Sequence, residues 1–270
     1  MTWDPGPAWL FCPGNRPDRF DKALERADIA ILDLEDAVAA DRKDEARTAV
    51  SASAMDANRC VVRINAVGTT PHEADLAAVR RMPGIQVMLA KTESAAQLAR
   101  LGDLPTIAII ESPRGVHFLP EIAASPNLVG LAWGAEDLIA GLGGTSSRGG
   151  DRRYRDVVRE ARARVLTAAK AHALLAIDAI HADIGDLAGL QAESADAAAS
   201  GFDATMAIHP SQVPTIRGAY RPDAETVDWA RRLLELAGDG KGVTTFEGRM
   251  VDGPMYAMAR QVLRRATPGL

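Results

Sequence analysis

In Ala30-Ile-Leu-Asp-Leu-Glu-Asp-Ala-Val38, an apolar run ends in two acids, Glu35 and Asp36, and this pattern indicates the class of fold. A run that is apolar on both faces is typical of a strand buried on both sides of a parallel sheet covered by helices. Carboxylates at the C-terminal end of such a strand lie where parallel α/β folds place their active sites. The alternative is that Asp36 caps the following helix, as Asp residues commonly do. Repetition of the pattern along the chain favours the functional interpretation.

Apolar strands that end in a polar or charged residue alternate with helices through most of the chain. Eight such units in about 210 residues predict a closed (β/α)8 TIM barrel rather than an open doubly wound sheet. A Rossmann fold is further disfavoured because Pro13-Gly-Asn-Arg16, after the first strand, lacks the G-x-G-x-x-G spacing. The predicted strands are Ala8–Cys12, Ala30–Val38, Cys60–Asn65, Gln86–Lys91, Thr106–Glu111, Leu128–Trp133, Leu174–Ala179 and Ala204–Ile208.

A tail remains after the eighth predicted strand and exceeds what a minimal barrel needs. We assign residues 1–215 to a barrel catalytic domain and residues 216–270 to a C-terminal helical extension of the same domain. Two helices are predicted in the extension, Asp223–Ala237 and Pro254–Thr267, separated by Asp239-Gly-Lys-Gly242. We interpret the extension as a lid over an active site, either that of its own barrel or that of a neighbouring subunit.

Composition narrows the class of protein. With 47% hydrophobic and 25% charged residues, the chain is typical of a folded globular protein rather than a disordered or membrane protein. Aromatic residues make up only 4% of the chain, which predicts an aliphatic core. A net charge of −5 argues against general nucleic-acid binding. It still leaves room for a local basic pocket that receives an anionic ligand.

Cysteine usage and the N-terminal stretch predict a cytoplasmic protein without a membrane segment. Cys12 and Cys60 are the two cysteines, and neither belongs to a CxxC pair or lies near a His cluster, so neither disulfides nor zinc is predicted. Residues 1–8 lack a basic stretch followed by an apolar one. No run of about 18 consecutive apolar residues occurs anywhere in the sequence.

Polar side chains follow the predicted strands and should therefore meet at the C-terminal rim of the barrel, where such folds bind ligands. The role of His209, which precedes Pro210 after the eighth strand, is open between catalysis and structure. The predicted rim residues are Arg16, Glu35, Asp36, Arg63, Asn65, Lys91, Glu93, Glu111, Glu136, Asp137, Asp178, His181 and His209.

Glu111 and Asp137 follow the adjacent fifth and sixth strands, so their carboxylates are predicted to share one cation. Mg²⁺ takes one or two protein carboxylates and completes its shell with water and substrate oxygens. The alternative is that both acids pair with Arg63 or Lys91 in a purely structural network. In the functional interpretation, the planar fork of Arg63 binds a carboxylate or an enolate oxygen.

Seven motifs follow one another along nearly the whole chain. They are Leu10-Phe-Cys-Pro-Gly-Asn-Arg-Pro-Asp-Arg-Phe20, Ile31-Leu-Asp-Leu-Glu-Asp-Ala-Val38 with Lys43 shortly after, Val62-Arg-Ile-Asn65, Met88-Leu-Ala-Lys-Thr-Glu93, Ile110-Glu-Ser-Pro-Arg-Gly115, Trp133-Gly-Ala-Glu-Asp137 and Ile208-His-Pro-Ser-Gln212. Together they resemble the citrate lyase beta subunit-like branch of the HpcH/HpaI aldolase superfamily, which includes malyl-CoA lyase and citramalyl-CoA lyase. The resemblance implies a Mg²⁺-dependent barrel that breaks or forms a carbon–carbon bond β to a thioester.

The resemblance also implies roles for single residues. Glu111 and Asp137 match the metal carboxylates of the family, and Arg63 matches the arginine that steadies the substrate oxygen near the metal. Asp252, in Gly248-Arg-Met-Val-Asp-Gly-Pro254, matches a C-terminal acid that reaches a neighbouring subunit's site. Asp252 is therefore our candidate to protonate the enolate carbon or to remove its proton in the reverse direction. The alternative is that Asp252 caps a helix.

Further matched positions contact the ligand or orient other groups. Phe11, Arg16 and Lys22 match residues that hold CoA, and the two cations suit a phosphate-bearing ligand. One departure from the family pattern is Ala90, where many relatives carry Pro. Glu35, Asp36 and Lys91 match motif positions near the catalytic centre and are assigned roles in catalysis or in orienting other groups. Gly134 and Pro210 are assigned to the substrate-binding site.

The function implied is cleavage of a β-hydroxyacyl-CoA such as citramalyl-CoA or malyl-CoA into an acyl-CoA and a 2-keto acid, or the reverse condensation. Two alternatives stay open. One is a pyruvate-type aldolase that binds no CoA, for which Arg16 and Lys22 are the discriminating residues. The other is a citrate lyase beta subunit that acts on an acyl carrier protein inside a complex. The resemblance further implies a homo-oligomer, either a trimer or a hexamer. The net charge and the lack of a long apolar run predict no nucleic-acid or membrane partner.

Overall fold

A computed structural model of the chain describes residues 5–237 and 244–266. Within these ranges eight parallel strands close into a barrel in sequence order, and the first strand pairs with the eighth. The predicted (β/α)8 TIM barrel is confirmed. The strands are β1 Ala8–Pro13, β2 Ile29–Asp33, β3 Cys60–Ile64, β4 Gln86–Leu89, β5 Thr106–Ile110, β6 Leu128–Trp133, β7 Leu175–Asp178 and β8 Ala204–Ala207.

Helices connect the strands. They are α1 Phe20–Arg26, α2 Lys43–Ala52, α3 His72–Val79, α4 Ala95–Ala99, α5 Pro113–His117, α6 Leu119–Ala123, α7 Ala135–Gly141, α8 Asp156–Ala171, α9 Leu187–Ser200 and α10 Val213–Tyr220. The helical connection between β5 and β6 is divided into α5 and α6, because Pro120 has no N–H to bond the carbonyl of Val116.

Aliphatic side chains fill most of the barrel interior, as the composition predicts. Residues two apart on a strand share a face, and Ile29 with Ile31, on β2, both point into this core. Burying each such side chain contributes about 1.5–3 kcal/mol relative to exposure. The central cluster comprises Trp9, Ile29, Ile31, Val61, Met88, Ile107, Ile109, Ala132, Ile177, Ala204 and Met206.

Strand β2 ends at Asp33, whereas the sequence predicts a strand that continues to Val38. The Asp33 side chain accepts the N–H groups of Glu35 and Ala37 at 2.9 and 3.0 Å. A carboxylate that captures N–H groups two and four residues further on competes with the strand ladder and turns the chain. Glu35 and Asp36 therefore lie in the connection after the strand rather than on the strand itself.

The chain divides into two compact units, the first ending at Ile216 and the second beginning at Arg217. The second unit contains α11 Ala224–Ala237, the antiparallel strands β9 Thr244–Phe246 and β10 Arg249–Val251, and α12 Gly253–Ala266. Its buried core includes Leu233, Val251 and Tyr256.

The β9–β10 hairpin is absent from the sequence prediction. Glu247 and Gly248 form its two-residue turn with positive φ angles of 49° and 76°, a conformation that matches the twist of a hairpin. The predicted linker Asp239–Gly242 and the predicted helix end at Thr267 lie outside the described residues. The assignment of residues 1–215 and 216–270 to a single domain stays a prediction. In the described ranges, no helix combines the length and apolar character needed to span a membrane.

Candidate active site

A cleft of about 390 Å³ opens at the C-terminal ends of the barrel strands. It brings together six of the predicted site residues, which are Phe11, Asp36, Arg63, Glu111, Gly134 and Asp137. Its apolar surface comes from Ile109, Trp133, Ile180, Met206 and Ile208, among others. The charged side chains of its lining are the acids Asp33, Asp36, Glu111, Glu136 and Asp137 and the base Arg63. This excess of negative charge favours a bound cation.

Glu111 follows β5 and is almost fully buried, with 5% of its surface exposed. Its Oε1 atom accepts the backbone N–H of Lys91 at 2.8 Å. Gly134 makes room for the other oxygen, because a Cβ atom at position 134 would lie 2.6 Å from Glu111 Oε2. Burial raises the pKa of Glu111 to about 7, and the negative charges of Asp137 and Glu35 act in the same direction. A nearby cation would offset this cost.

The two predicted metal carboxylates suit a hard divalent ion. Asp137 lies in the first turn of α7 with 43% of its side chain exposed, whereas Glu111 presents Oε2, to which no described residue donates a hydrogen bond. Two carboxylates with room for water and substrate oxygens form the donor set that Mg²⁺ prefers. In the ranges that the structure describes, no three His, Cys, Asp or Glu side chains converge on a common metal position.

The purely structural alternative accounts for little of this arrangement. Lys91 Nζ lies 3.7 Å from Asp137 Oδ1, but a partly exposed pair at this distance contributes less than about 1 kcal/mol. Arg63 pairs with other acids instead. A weak contact to Asp137 gives no reason for placing a carboxylate as buried as Glu111 beside it.

Arg63 is held on three sides. Its Nε and Nη2 atoms donate to Asp33 at 2.7 and 2.6 Å, and its Nη1 atom lies 2.9 Å from Glu35 Oε2. The guanidinium carbon lies 4.6 Å from the centre of the Phe11 ring. Burial acts to lower the pKa of Arg63, but the hydrogen bonds and charges of Asp33 and Glu35 raise it overall. The group stays charged, and those of its five N–H donors that make none of these contacts remain for a ligand.

Asp33 is a site residue that the sequence prediction lacks. It is fully buried, it faces Arg63 across the β2–β3 pairing, and it accepts four N–H donations, two from Arg63 and two from the backbone after β2. It therefore fixes both the guanidinium and the turn that carries Glu35. The available signal is an acid among apolar residues in the middle of a predicted buried strand.

Glu35 and Lys91 form a second pair at the rim. Glu35 is 6% exposed and accepts a hydrogen bond from Lys91 Nζ, which also lies 3.5 Å from Asp36 Oδ2. Lys91 has a left-handed backbone, with a φ of 49°, which lets its N–H reach Glu111 while its ammonium reaches Glu35. Ala90 donates its N–H to the carbonyl of Ile64 at 3.3 Å, a bond that Pro at this position would lack. Lys91 therefore links Glu35 to Glu111, and its orienting role stays a prediction.

The predicted CoA-binding cations lie outside the cleft lining. Arg16 donates to Asp18 at 2.9 Å from both Nε and Nη2, and both side chains are exposed. Lys22 lies on α1 and is exposed. Pro210 follows the cleft residue Ile208 but is not itself part of the lining.

His209 has a structural role in this arrangement. Its Nδ1 atom accepts the N–H of Ser211 at 3.2 Å, and it begins a short 3-10 turn over residues 210–212. Asp252 belongs to the second unit, half-exposed just before α12, and its carbonyl accepts the N–H of Tyr256 at 3.3 Å.

Several other predicted rim residues are engaged by structural partners rather than presented to the cleft. Side-chain contacts join Asn65 to Asp75, Glu93 to Ser112, Glu136 to Ser147, Asp178 to Arg162, and His181 to Glu193. Of these residues, only Glu136 also lines the cleft. The chemistry is therefore concentrated on the part of the rim formed by β2 to β6.

At the rim of the closed barrel, one buried and one partly exposed carboxylate lie beside a fixed guanidinium. This arrangement is typical of barrel enzymes that use a metal ion and a positive charge to stabilise oxygen anions. The model of the HpcH/HpaI aldolase/citrate lyase family matches residues 8–210. The chain belongs to this family, and the resemblance of its motifs is confirmed.

Individual relatives support the same assignment. The chain is 52% identical over 261 residues to a citrate lyase subunit beta-like protein of Mycobacterium tuberculosis, covering 97% of this chain and 96% of that protein. It is 30% identical over 299 residues to the mitochondrial citramalyl-CoA lyase of Homo sapiens, covering 97% and 86% of the two chains. The crystal structure of the CitE protein of M. tuberculosis with magnesium, acetoacetate and coenzyme A superposes with a TM-score of 0.93, at 52% identity, over 97% of this chain and 98% of that chain.

Proposed function

We propose that the chain is a Mg²⁺-dependent lyase that cleaves, or forms, a β-hydroxyacyl-CoA such as citramalyl-CoA or malyl-CoA, giving an acyl-CoA and a 2-keto acid. The observation that carries this proposal is the cleft in which Glu111 and Asp137 lie together beside the guanidinium of Arg63. The human relative named citramalyl-CoA lyase and the CitE complex with magnesium and coenzyme A support it.

The residues divide the reaction between them. Glu111 and Asp137 would hold the cation, which when bound would supply Lewis-acid polarisation of the substrate oxygens. A base takes the hydroxyl proton, the O–H electrons form the carbonyl of the departing 2-keto acid, and the electrons of the broken Cα–Cβ bond pass into the thioester enolate. The enolate carbon then takes a proton, the step for which Asp252 is the candidate acid. The free N–H groups of Arg63 would donate to the oxygen on which negative charge develops, and because Asp33 and Glu35 already hold the guanidinium, little reorganisation is needed. Lys91 would keep the Glu35 carboxylate in place.

A purified-protein assay tests the proposal and separates it from its two alternatives. The chain alone, with Mg²⁺, is expected to release pyruvate from citramalyl-CoA or glyoxylate from malyl-CoA. A citrate lyase beta subunit would cleave only the acyl-carrier-protein thioester, and a CoA-free aldolase would act on the corresponding hydroxy acid without a thioester. Activity on either of those substrates in place of the free acyl-CoA would overturn the proposal.

Replacing Arg16 and Lys22 together with Gln should raise the KM for the acyl-CoA at least about tenfold and change kcat less than about threefold, because remote phosphate contacts stabilise the ground state and the transition state alike. Arg16 is available for this role because its exposed pair with Asp18 is weak. The matched control replaces Arg80 and Arg100 with Gln, which removes two exposed cations. An equal KM in wild type and the Arg16/Lys22 variant would show that these cations do not bind CoA.

We also propose that Asp252 completes the site of a neighbouring subunit as its acid or base, in a homotrimer or a hexamer built from two trimers. The barrel is closed by β1 and β8, so the second unit is not needed to complete the sheet. A head-to-tail contact that closes by rotation would give each barrel one neighbouring Asp252. The cytoplasmic location stays a prediction.

Mixing two inactive variants tests completion in trans. Subunits carrying Asp252→Ala and subunits carrying Glu111→Ala, allowed to exchange, should recover part of the wild-type activity because some sites combine an intact barrel with an intact acid. Labelled subunits would report whether exchange occurs. If exchange is complete, both parents are folded and no activity returns, Asp252 acts within its own chain or not at all.

A further inference from the structure

Asp178, the last residue of β7, is a buried carboxylate that the proposed mechanism does not use. It is 5% exposed and does not line the cleft. Its Oδ1 atom accepts the indole N–H of Trp133 at 2.7 Å and the Nε–H of Arg162 at 3.0 Å, while Oδ2 accepts from Arg162 Nη2 at 2.9 Å. Both oxygens are therefore committed to protein donors, which argues against contact with substrate or metal.

Trp133, the last residue of β6, connects Asp178 to the cleft. It is fully buried and lies among the cleft-lining residues. The next residue is Gly134, whose missing side chain makes room for the Glu111 carboxylate. On another side, the ring of Tyr154 meets the indole edge to face, with ring centres 5.4 Å apart. A change in the indole orientation would therefore alter the packing beneath the cleft and the backbone beside Glu111.

Arg162, on α8, holds Asp178 from the helical layer. Its guanidinium pairs with Asp178 through two hydrogen bonds, donates to Asp196 on α9 at 2.6 Å, and lies 4.8 Å from the centre of the Phe202 ring. Such a bidentate pair fixes the carboxylate in one plane. The indole N–H thus meets an acceptor whose position is set by two helices outside the barrel.

We propose that Asp178 and Arg162 are positioning residues that act through the indole N–H of Trp133 to fix the surface of the substrate cleft. The expected effect on substrate binding rests on the lyase function proposed above, whereas the expected effect on the position of the Trp133 indole does not. A purely structural ion pair would stabilise the barrel without any coupling to Trp133.

The test is a double-mutant cycle between the ion pair and the indole N–H. The first variant replaces Asp178 and Arg162 together with Leu, which removes both charges and leaves no unpaired charge behind. Trp133→Phe keeps an aromatic ring but has no N–H. In the protein that retains Trp133, the double Leu variant at positions 178 and 162 (here called the Leu pair) should raise the KM for citramalyl-CoA about tenfold, with kcat within about threefold of wild type. In the protein that carries Trp133→Phe, the Leu pair should change this KM less than about twofold.

Acrylamide quenching of Trp133 fluorescence tests the positioning role without substrate. The Trp133 signal is obtained by subtracting the fluorescence of the protein that carries Trp133→Phe from that of the same protein with Trp133. The Leu pair should increase this quenching at least about twofold. Equal KM increases with and without the indole, or unchanged quenching, would overturn the proposal. If the wild type cleaves no acyl-CoA, the lyase proposal fails and the quenching result still decides the positioning role.

Two further variants keep the test decisive if the Leu pair does not fold. Asp178→Asn retains an oxygen for the indole N–H, so KM and quenching should stay within about twofold of wild type even if the melting temperature falls, whereas Asp178→Leu alone should increase both. The matched control is Asp203→Asn, which breaks the pair between Asp203 and Lys170. Lys170 lies on α8, as Arg162 does, but in the described structure Asp203 contacts no residue of the cleft lining. Quenching of Trp133 in Asp178→Leu equal to that in Asp203→Asn would contradict the proposal.

Discussion

Glu111→Gln is expected to lower kcat for acyl-CoA cleavage at least about 10³-fold and, without metal, to make the protein more stable. The activity falls because a neutral amide replaces the buried carboxylate that would hold Mg²⁺. The stability rises because Glu111 is almost fully buried and its pKa is raised to about 7, chiefly by loss of solvent. Gln keeps the oxygen that accepts the Lys91 N–H, so the local backbone is preserved.

The stability effect has a defined pH dependence. Between the unfolded pKa of about 4.3 and the folded pKa of about 7, folded Glu111 binds more protons than the unfolded chain. The wild type therefore loses stability as pH rises through this window, while the Gln variant does not. With chelator present, the melting temperature of the variant should exceed that of wild type by a margin that widens from pH 5 to pH 7.5. Saturating Mg²⁺ should reverse the order, since it stabilises only the wild type.

Asp137→Asn is the matched control for this pair of effects. It should also abolish metal-dependent cleavage, but 43% of the Asp137 side chain is exposed, so the metal-free melting temperature should change little. Calorimetry from pH 5 to pH 8 measures both variants. A Glu111→Gln protein that is less stable than wild type at pH 7.5 without metal would refute the account of a desolvated metal ligand.

Asp33→Asn should lower the free energy of unfolding by about 3 kcal/mol and kcat by about 10²-fold. The amide group of Asn would turn a donor toward Arg63 or toward the N–H of Ala37, both of which donate to Asp33 in the wild type. Arg63 would keep Glu35 as a partner but lose the fork that fixes its plane. Urea denaturation and steady-state kinetics measure the two effects.

Asp36→Asn provides the comparison for stability. This substitution makes the same chemical change just after β2. Because 62% of the Asp36 side chain is exposed and its Oδ2 atom lies 3.5 Å from Lys91 Nζ, the free energy of unfolding should change by less than about 0.5 kcal/mol. Equal stability losses in the Asp33 and Asp36 variants would mean that the Asp33–Arg63 pair does not organise the rim.

The barrel was predictable because each strand is a short apolar run and each connection carries turn or capping residues, both local signals. Glu111, Asp137 and Arg63 were predictable as rim residues because they lie at or just beyond the ends of these runs. Their partners were not. Asp33 faces Arg63 only through the register of β2 and β3, and Asp178 meets Trp133 only through the neighbouring ends of β6 and β7.

Conformation at single residues was equally hidden. The left-handed backbone of Lys91 has no local sequence signal, since neither Gly nor Asn is present there. The predicted strand that ran to Val38 was too long because its periodicity does not reveal that the Asp33 side chain captures the next N–H groups. The β9–β10 hairpin is made of strands too short to show alternation.

Anomalous diffraction would locate the divalent cation that we assign to Glu111 and Asp137. The crystals are grown with Mn²⁺ in place of Mg²⁺ and soaked with pyruvate. We expect a single strong anomalous peak within coordination distance of Glu111 and Asp137, and its loss in crystals of the Glu111→Gln variant. A peak at other residues, or no peak from a protein whose cleavage activity depends on Mn²⁺, would contradict this assignment.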